Sequence, residues 1–93
     1  WIGDASTNGV AWALQGLSAG DNAEADAAFG TAVVVQYDSQ GDATEVLVTS
    51  ESGNVKLSGE GDDKMTFFQI YTDVSDGNDD MSADARLVGI QLF

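Results

Sequence analysis

Five aspartates crowd one short stretch of the chain. Asp73, Asp76, Asp79 and Asp80 fall within eight positions, and Asp84 follows. Hard oxygen ligands on a loop suit Ca²⁺, which accepts roughly six to eight oxygens in irregular geometry. The spacing is not that of an EF-hand, whose alternate ligands and terminal Glu are missing. The other reading is a solvated hairpin loop. There Asp73 and Asp76 accept from local backbone N–H groups, and Gly77-Asn78 supply the turn. A pair of carboxylates could also serve as the acid and base of a glycosidase. Nothing selects such a pair among 16 acidic residues, and no aromatic stands beside one to grip a sugar.

The chain has no histidine and no cysteine. That removes the usual general base near neutral pH, the commonest zinc ligands and all thiol chemistry. Serines and threonines are plentiful, but no base stands ready to activate one. The expectation is therefore a protein that is not an enzyme and requires no cofactor, with Ca²⁺ the one ion to consider. Trp1, Trp12, Tyr37 and Tyr71 offer flat apolar rings that suit either a glycan platform or core and subunit contacts. The second use is the commoner one. Arg86 stands two positions from Asp84, which predicts a structural ion pair.

The charge balance excludes some partners. Three basic residues face 16 carboxylates, for a net charge of −13. Phosphates would be repelled, so nucleic acid and anionic membrane surfaces are not expected partners. No apolar run approaches the roughly 20 residues that span a bilayer, so no membrane insertion is expected. The charge favours solubility, cation binding or high salt, where screening weakens self-repulsion.

The elements that must position these residues read as short strands. Lys64–Thr72 alternates, with Thr66, Phe68, Ile70 and Thr72 on one face. Ala85–Phe93 alternates too, with Val88, Ile90 and Leu92 sharing a face. The expectation is that these two segments lie side by side and hold the aspartates at a rim. VAWALQGL, TAVVVQY, TEVLVTS and NVKLS read as four more strands, with Gly53-Asn54 as a hairpin turn between the last two. Asp21 and Glu24 have the capping-box spacing, so at most one short helix is expected near residues 22–29. The fold class expected is all-β, an antiparallel β-sandwich of jelly-roll type in a single domain over 1–93. Trp1-Ile2 and Leu92-Phe93 are large and apolar where natural ends are usually polar, so the domain reads as the C-terminal part of a longer chain.

Two blocks carry a resemblance. FFQIYTDVSDGNDDMSADARLVGIQLF resembles a pattern of virion proteins: an FF strand, spaced aspartates, a D-A-R-L-V-G-I run and an apolar strand. VAWALQGLSAGDNAEADAAFGTAVVV is similar to the W-x-L-Q and AFGTA run of the same proteins. Together the blocks cover more than half the chain, in order. They resemble small β-sandwich structural proteins of tailed phages. The resemblance implies a virion structural role on the particle surface, as capsid decoration, head or tail fibre, or adhesin-like subunit. Its partners would be copies of itself, other virion proteins and a host surface glycan. It brings no catalytic residues. An Arg often ends the FF strand in these proteins, whereas Tyr71-Thr72 stands here, which leaves the aspartates less neutralised. The alternative is a carbohydrate-binding β-sandwich module, assisted by calcium.

Overall fold

A computed structural model describes residues 1–24, 27–59 and 64–93. It is all-β. Three strands form one antiparallel sheet in the order β2-β1-β3. Strand β1 is Gly9–Ala19, β2 is Val33–Asp38 and β3 is Met65–Thr72. The central strand pairs with β2 along its first half, from Gly9↔Asp38 to Leu14↔Val33. It pairs with β3 along its second half, from Trp12↔Thr72 to Ala19↔Met65.

The registers explain why β1 carries small residues on one face. Ala13 stands between Val34 and Tyr71, and the larger neighbours close over it. Ala11 and Ala13 are fully buried as a result. The other face carries Val10, Trp12 and Leu14, with Tyr37, Val35 and Val33 beside them from β2 and Ile70 and Phe68 from β3. On that face Trp1, Val10 and Leu47 form the core, packed by Trp12, Tyr37, Met81 and Ala85. The core thus sits over the start of β1. Its two tryptophans meet edge to face, ring centroids 6.1 Å apart, and Trp1 meets Tyr37 in the same way at 6.4 Å.

Three expected strands take another form. TEVLVTS, NVKLS and ARLVGIQLF build no ladder among the described residues; each contributes a single bridge. Val46 and Arg86 flank Ile2, and Ser58 meets Leu17. The expected side-by-side pairing of Phe68 and Ile70 with Val88, Ile90 and Leu92 is not present, and Val88, Ile90 and Leu92 are each more than half exposed. The hairpin expected at Gly53-Asn54 is likewise absent. Alternation marks a segment whose one face is meant for burial; it does not say which segment supplies the hydrogen bonds.

No helix forms among the described residues. Asn22 adopts φ 60°, left-handed backbone that cannot begin an α-helix after Asp21, and the Ala23 amide closes a turn on the Gly20 carbonyl instead. Residues 25 and 26 of the expected helix lie outside the described residues. The molecule is elongated, 47 × 24 × 20 Å, with a radius of gyration of 15.2 Å. A compact domain of this length would have about 12 Å.

Candidate functional site

Two features stand out: an acidic clip on the edge of β1 and an apolar cleft on the core face. The clip is the aspartate stretch. Where β3 ends at Thr72 the chain does not leave β1 but keeps to its edge. The Asp73 amide donates to the Ala11 carbonyl at 2.7 Å, and the Asp80 and Met81 amides both donate to the Gly9 carbonyl at 3.1 Å. The carboxylates complete the pairing. Asp80 Oδ1 accepts from the Gly9 amide at 2.7 Å, and Asp79 Oδ2 accepts from the Ala11 amide at 3.1 Å. The loop therefore replaces the missing end of β3, with carboxylates accepting where strand carbonyls would. A buried amide left unpaired is costly, which explains the demand for acceptors there.

The other aspartates shape the loop itself. Asp73 Oδ1 accepts from the Ser75 amide and hydroxyl, at 3.1 and 2.6 Å. Asp76 Oδ1 accepts from the Asn78 amide at 2.9 Å. The same device recurs twice elsewhere. Asp4 accepts from the Ser6 amide and hydroxyl, and Asp42 from those of Thr44. The Ser6 hydroxyl is the main cause holding the Asp4 carboxyl below its ordinary value of 3.8, and the Thr44 hydroxyl does the same for Asp42. Asp-x-Ser, Asp-x-Thr or Asp-x-Asn is the sequence signal for these turns.

Four of the five candidate calcium ligands thus already accept from N–H groups. Among the described residues no three acidic side chains are grouped to hold a metal ion. Asp84 is exposed and lines one cavity with Asp79. The expected partner of Asp84 is engaged elsewhere: Arg86 Nη2 donates to the Ala43 carbonyl at 2.9 Å, tying the loop before TEVLVTS to the chain after the clip. A second tie joins the Gly3–Asn8 loop to the end of β2. Ser39, almost fully buried, donates its hydroxyl to the Asp4 carbonyl and accepts from the Asp4 amide.

The aromatic candidates separate. Trp1 is only 5% exposed. It meets Trp12 and Tyr37 in edge-to-face packing, so the three rings form no stacked flat platform. Tyr71 lies on the opposite face of the sheet, beside Ala13. Neither Trp1 Nε1 nor Trp12 Nε1 has a hydrogen-bond partner among the described residues.

Both tryptophans line the cleft, which measures about 850 Å³. Its floor is the core face of the sheet, including Trp12, Leu14, Val35, Phe68 and Ile70. Its walls are 46–55 and 87–93. Among the described lining residues only Glu51 has a charged side chain. In a chain with a net charge of −13 that exclusion is informative. The sequence marked the apolar alternation of these walls but not the gap between them.

The chain matches no family model, and no curated protein or solved structure matches it.

Proposed function

We propose that this chain is a non-enzymatic structural subunit of a virion, a decoration, fibre or adhesin-like domain that acts by self-assembly and display on the particle surface. In this reading the three-stranded sheet is one layer of a β-sandwich of jelly-roll type. The second layer is started by Trp1-Ile2 between Val46 and Arg86 and is completed on assembly. The observation that carries the reading is the apolar cleft, with walls that expose large side chains. Val48 is 78% exposed and Phe93 is 90% exposed. Contiguous exposed apolar surface of this kind marks an interaction site. The acid clip and the outer loops, rich in carboxylates, form a solvated exterior that suits display.

The carbohydrate-binding reading stands second, because Trp1 and Trp12 meet edge to face and Trp1 is buried. A glycan platform needs open ring faces.

Gold-labelled antibody against residues 1–93, applied to particles from the culture that carries the gene, tests the proposal. Regular labelling of particles is the expected result. Particles that lack the chain altogether would overturn it.

A further inference from the structure

The acidic clip closes on a reactive dipeptide. At Asn8-Gly9 an asparagine precedes a glycine, whereas Asn22, Asn54 and Asn78 precede Ala23, Val55 and Asp79. In an Asn-Gly pair the glycine nitrogen can attack the asparagine side-chain carbonyl, because no Cβ hinders its approach. The fold requires this glycine: a Cβ at position 9 would stand 2.9 Å from the Asn78 carbonyl. It makes no such demand on the Asn8 side chain. Asn8 is exposed, and its hydrogen bonds among the described residues are made by its backbone.

The folded chain withholds the attacking atom. The Gly9 amide donates to Asp80 Oδ1 at 2.7 Å, which holds its nitrogen in strand geometry. A neighbouring carboxylate also opposes loss of the amide proton, since the anion formed would face a like charge. Asn8 itself is pinned at both ends. Its amide donates to Ser6 Oγ at 3.1 Å, and its carbonyl accepts from the Ser39 amide at 2.8 Å. Ring closure needs the Asn8 backbone to rotate and the Gly9 amide to give its proton to a base in solvent. The three bonds oppose both.

We propose that Asn8-Gly9 is a self-modification site gated by the clip. Release of Gly9 by Asp80 starts a covalent change at Asn8, and its products keep the clip from reforming. The proposal is independent of the assembly reading.

The chemistry needs only water. The Gly9 nitrogen loses its proton and bonds to Asn8 Cγ. The Cγ–Nδ2 bond breaks, and Nδ2 takes up a proton and leaves as ammonia. The product is a five-membered succinimide in which residue 9 has no N–H. Water then opens the ring at one of its two carbonyls. Opening at Cγ leaves aspartate at position 8. Opening at the backbone carbonyl leaves isoaspartate, whose main chain runs through Cβ and Cγ and is one atom longer. One water is consumed, one ammonia is released, and nothing is oxidised or reduced.

Each product works against closure. The succinimide has no donor for Asp80 Oδ1. Isoaspartate lengthens the main chain between the contacts with Ser39 and Asp80, and turns the carbonyl that accepted from Ser39 into a free carboxylate. Both ring-opened products add a negative charge beside position 9, where the carboxylates of Asp38 and Asp80 already stand. A reversible opening of the clip thus becomes permanent.

The test follows conversion at position 8 by peptide mass spectrometry during incubation of the chain at mildly alkaline pH, with ring-opened isomers separated by chromatography. Conversion is expected to be fast in denaturant and far slower in the folded chain. Where opening and closing are rapid, it follows the open population. Loss of the Asp80 acceptor raises that population roughly 5- to 150-fold, so Asp80→Ala is expected to convert faster by that factor. Asp84→Ala is expected to convert at the unmodified rate. Equal rates for Asp80→Ala and Asp84→Ala, or for folded and denatured chain, would overturn the proposal. Should Asp80→Ala fail to fold, the unmodified chain in urea below its unfolding transition carries the test. There conversion is expected to rise in step with hydrogen exchange of the Gly9 amide. Conversion that follows the amides of the β1–β3 ladder instead would assign it to global unfolding and overturn the gate. The isolated converted chain is expected to exchange its Asp80 and Met81 amides, which donate to the Gly9 carbonyl, faster than the unconverted chain. Equal exchange would overturn the one-way step.

Discussion

Gly9 and Asp80 hold each other by two hydrogen bonds across 71 residues of sequence. The Gly9 amide donates to Asp80 Oδ1 at 2.7 Å, and the Asp80 amide donates to the Gly9 carbonyl at 3.1 Å. The pair makes the acidic stretch part of the sheet. Charge that looks like a ligand set is used to close the edge of β1.

Asp80→Ala leaves the buried Gly9 amide without its acceptor. The expected loss is about 1–3 kcal/mol, which for a domain of this size lowers Tm by roughly 4–8 °C per kcal/mol. Asp80→Asn keeps an acceptor but not the charge, and falls between. Asp84→Ala removes no hydrogen bond among the described residues and is expected to leave Tm unchanged. Thermal melts of the three variants check this; equal losses at positions 80 and 84 would show that charge alone matters.

Gly9→Ala is expected to cost more than an ordinary surface substitution. A Cβ there would stand 2.9 Å from the Asn78 carbonyl, which is backbone, and closer still to the Asp38 carboxylate. The side chain of Asp38 can move aside; the Asn78 carbonyl moves only with the clip. A denaturant melt is expected to show a loss of about 1–3 kcal/mol, in the range of overpacking. A neutral result would mean that the clip yields freely.

The pH dependence follows from Asp4 and Asp42. Both carboxyls are held below 3.8 in the folded state by hydroxyl and amide donors. A depressed folded value means that the unfolded chain binds protons more readily. The stabilisation is therefore present above the ordinary value and is lost as pH falls through the depressed ones. The Asp4→Asn, Asp42→Asn double variant is expected to show a shallower fall in Tm below about pH 4. Comparing the two chains cancels the general relief of repulsion on acidification. Parallel curves would contradict the prediction.

Calcium gives a further check. The carboxylates of Asp73, Asp76, Asp79 and Asp80 already accept from N–H groups. Melting temperature is therefore expected to be the same in chelator as in millimolar Ca²⁺, after correction for ionic strength with Na⁺. A rise specific to Ca²⁺ would restore the aspartates as ligands.

The paired sheet was legible from alternation. Val10, Trp12 and Leu14, Val33, Val35 and Tyr37, and Phe68 and Ile70 share one face as their spacing predicts. Val88, Ile90 and Leu92 alternate as clearly, yet find no strand beside them among the described residues, because period two reports an intended burial and not its source. The turns at Asp73 and Asp76 were readable from Asp-x-Ser and Asp-x-Asn. The reach of Asp79 and Asp80 to Ala11 and Gly9 was not, since it spans 68 and 71 residues. Asn22 ended the helix expectation through one left-handed residue, which propensity and capping spacing do not register.

Sedimentation equilibrium of the unmodified chain and of Ile90→Asp, from low to high salt, tests the central claim most directly. Ile90 is 51% exposed in the single chain, so the aspartate is expected to leave the three-stranded sheet intact by circular dichroism. The account predicts that the unmodified chain associates increasingly as salt rises, while Ile90→Asp remains monomeric throughout. An unmodified chain that stays monomeric at every salt concentration, or a variant that associates as well as it does, would contradict the claim that this protein works by assembly through its open apolar face.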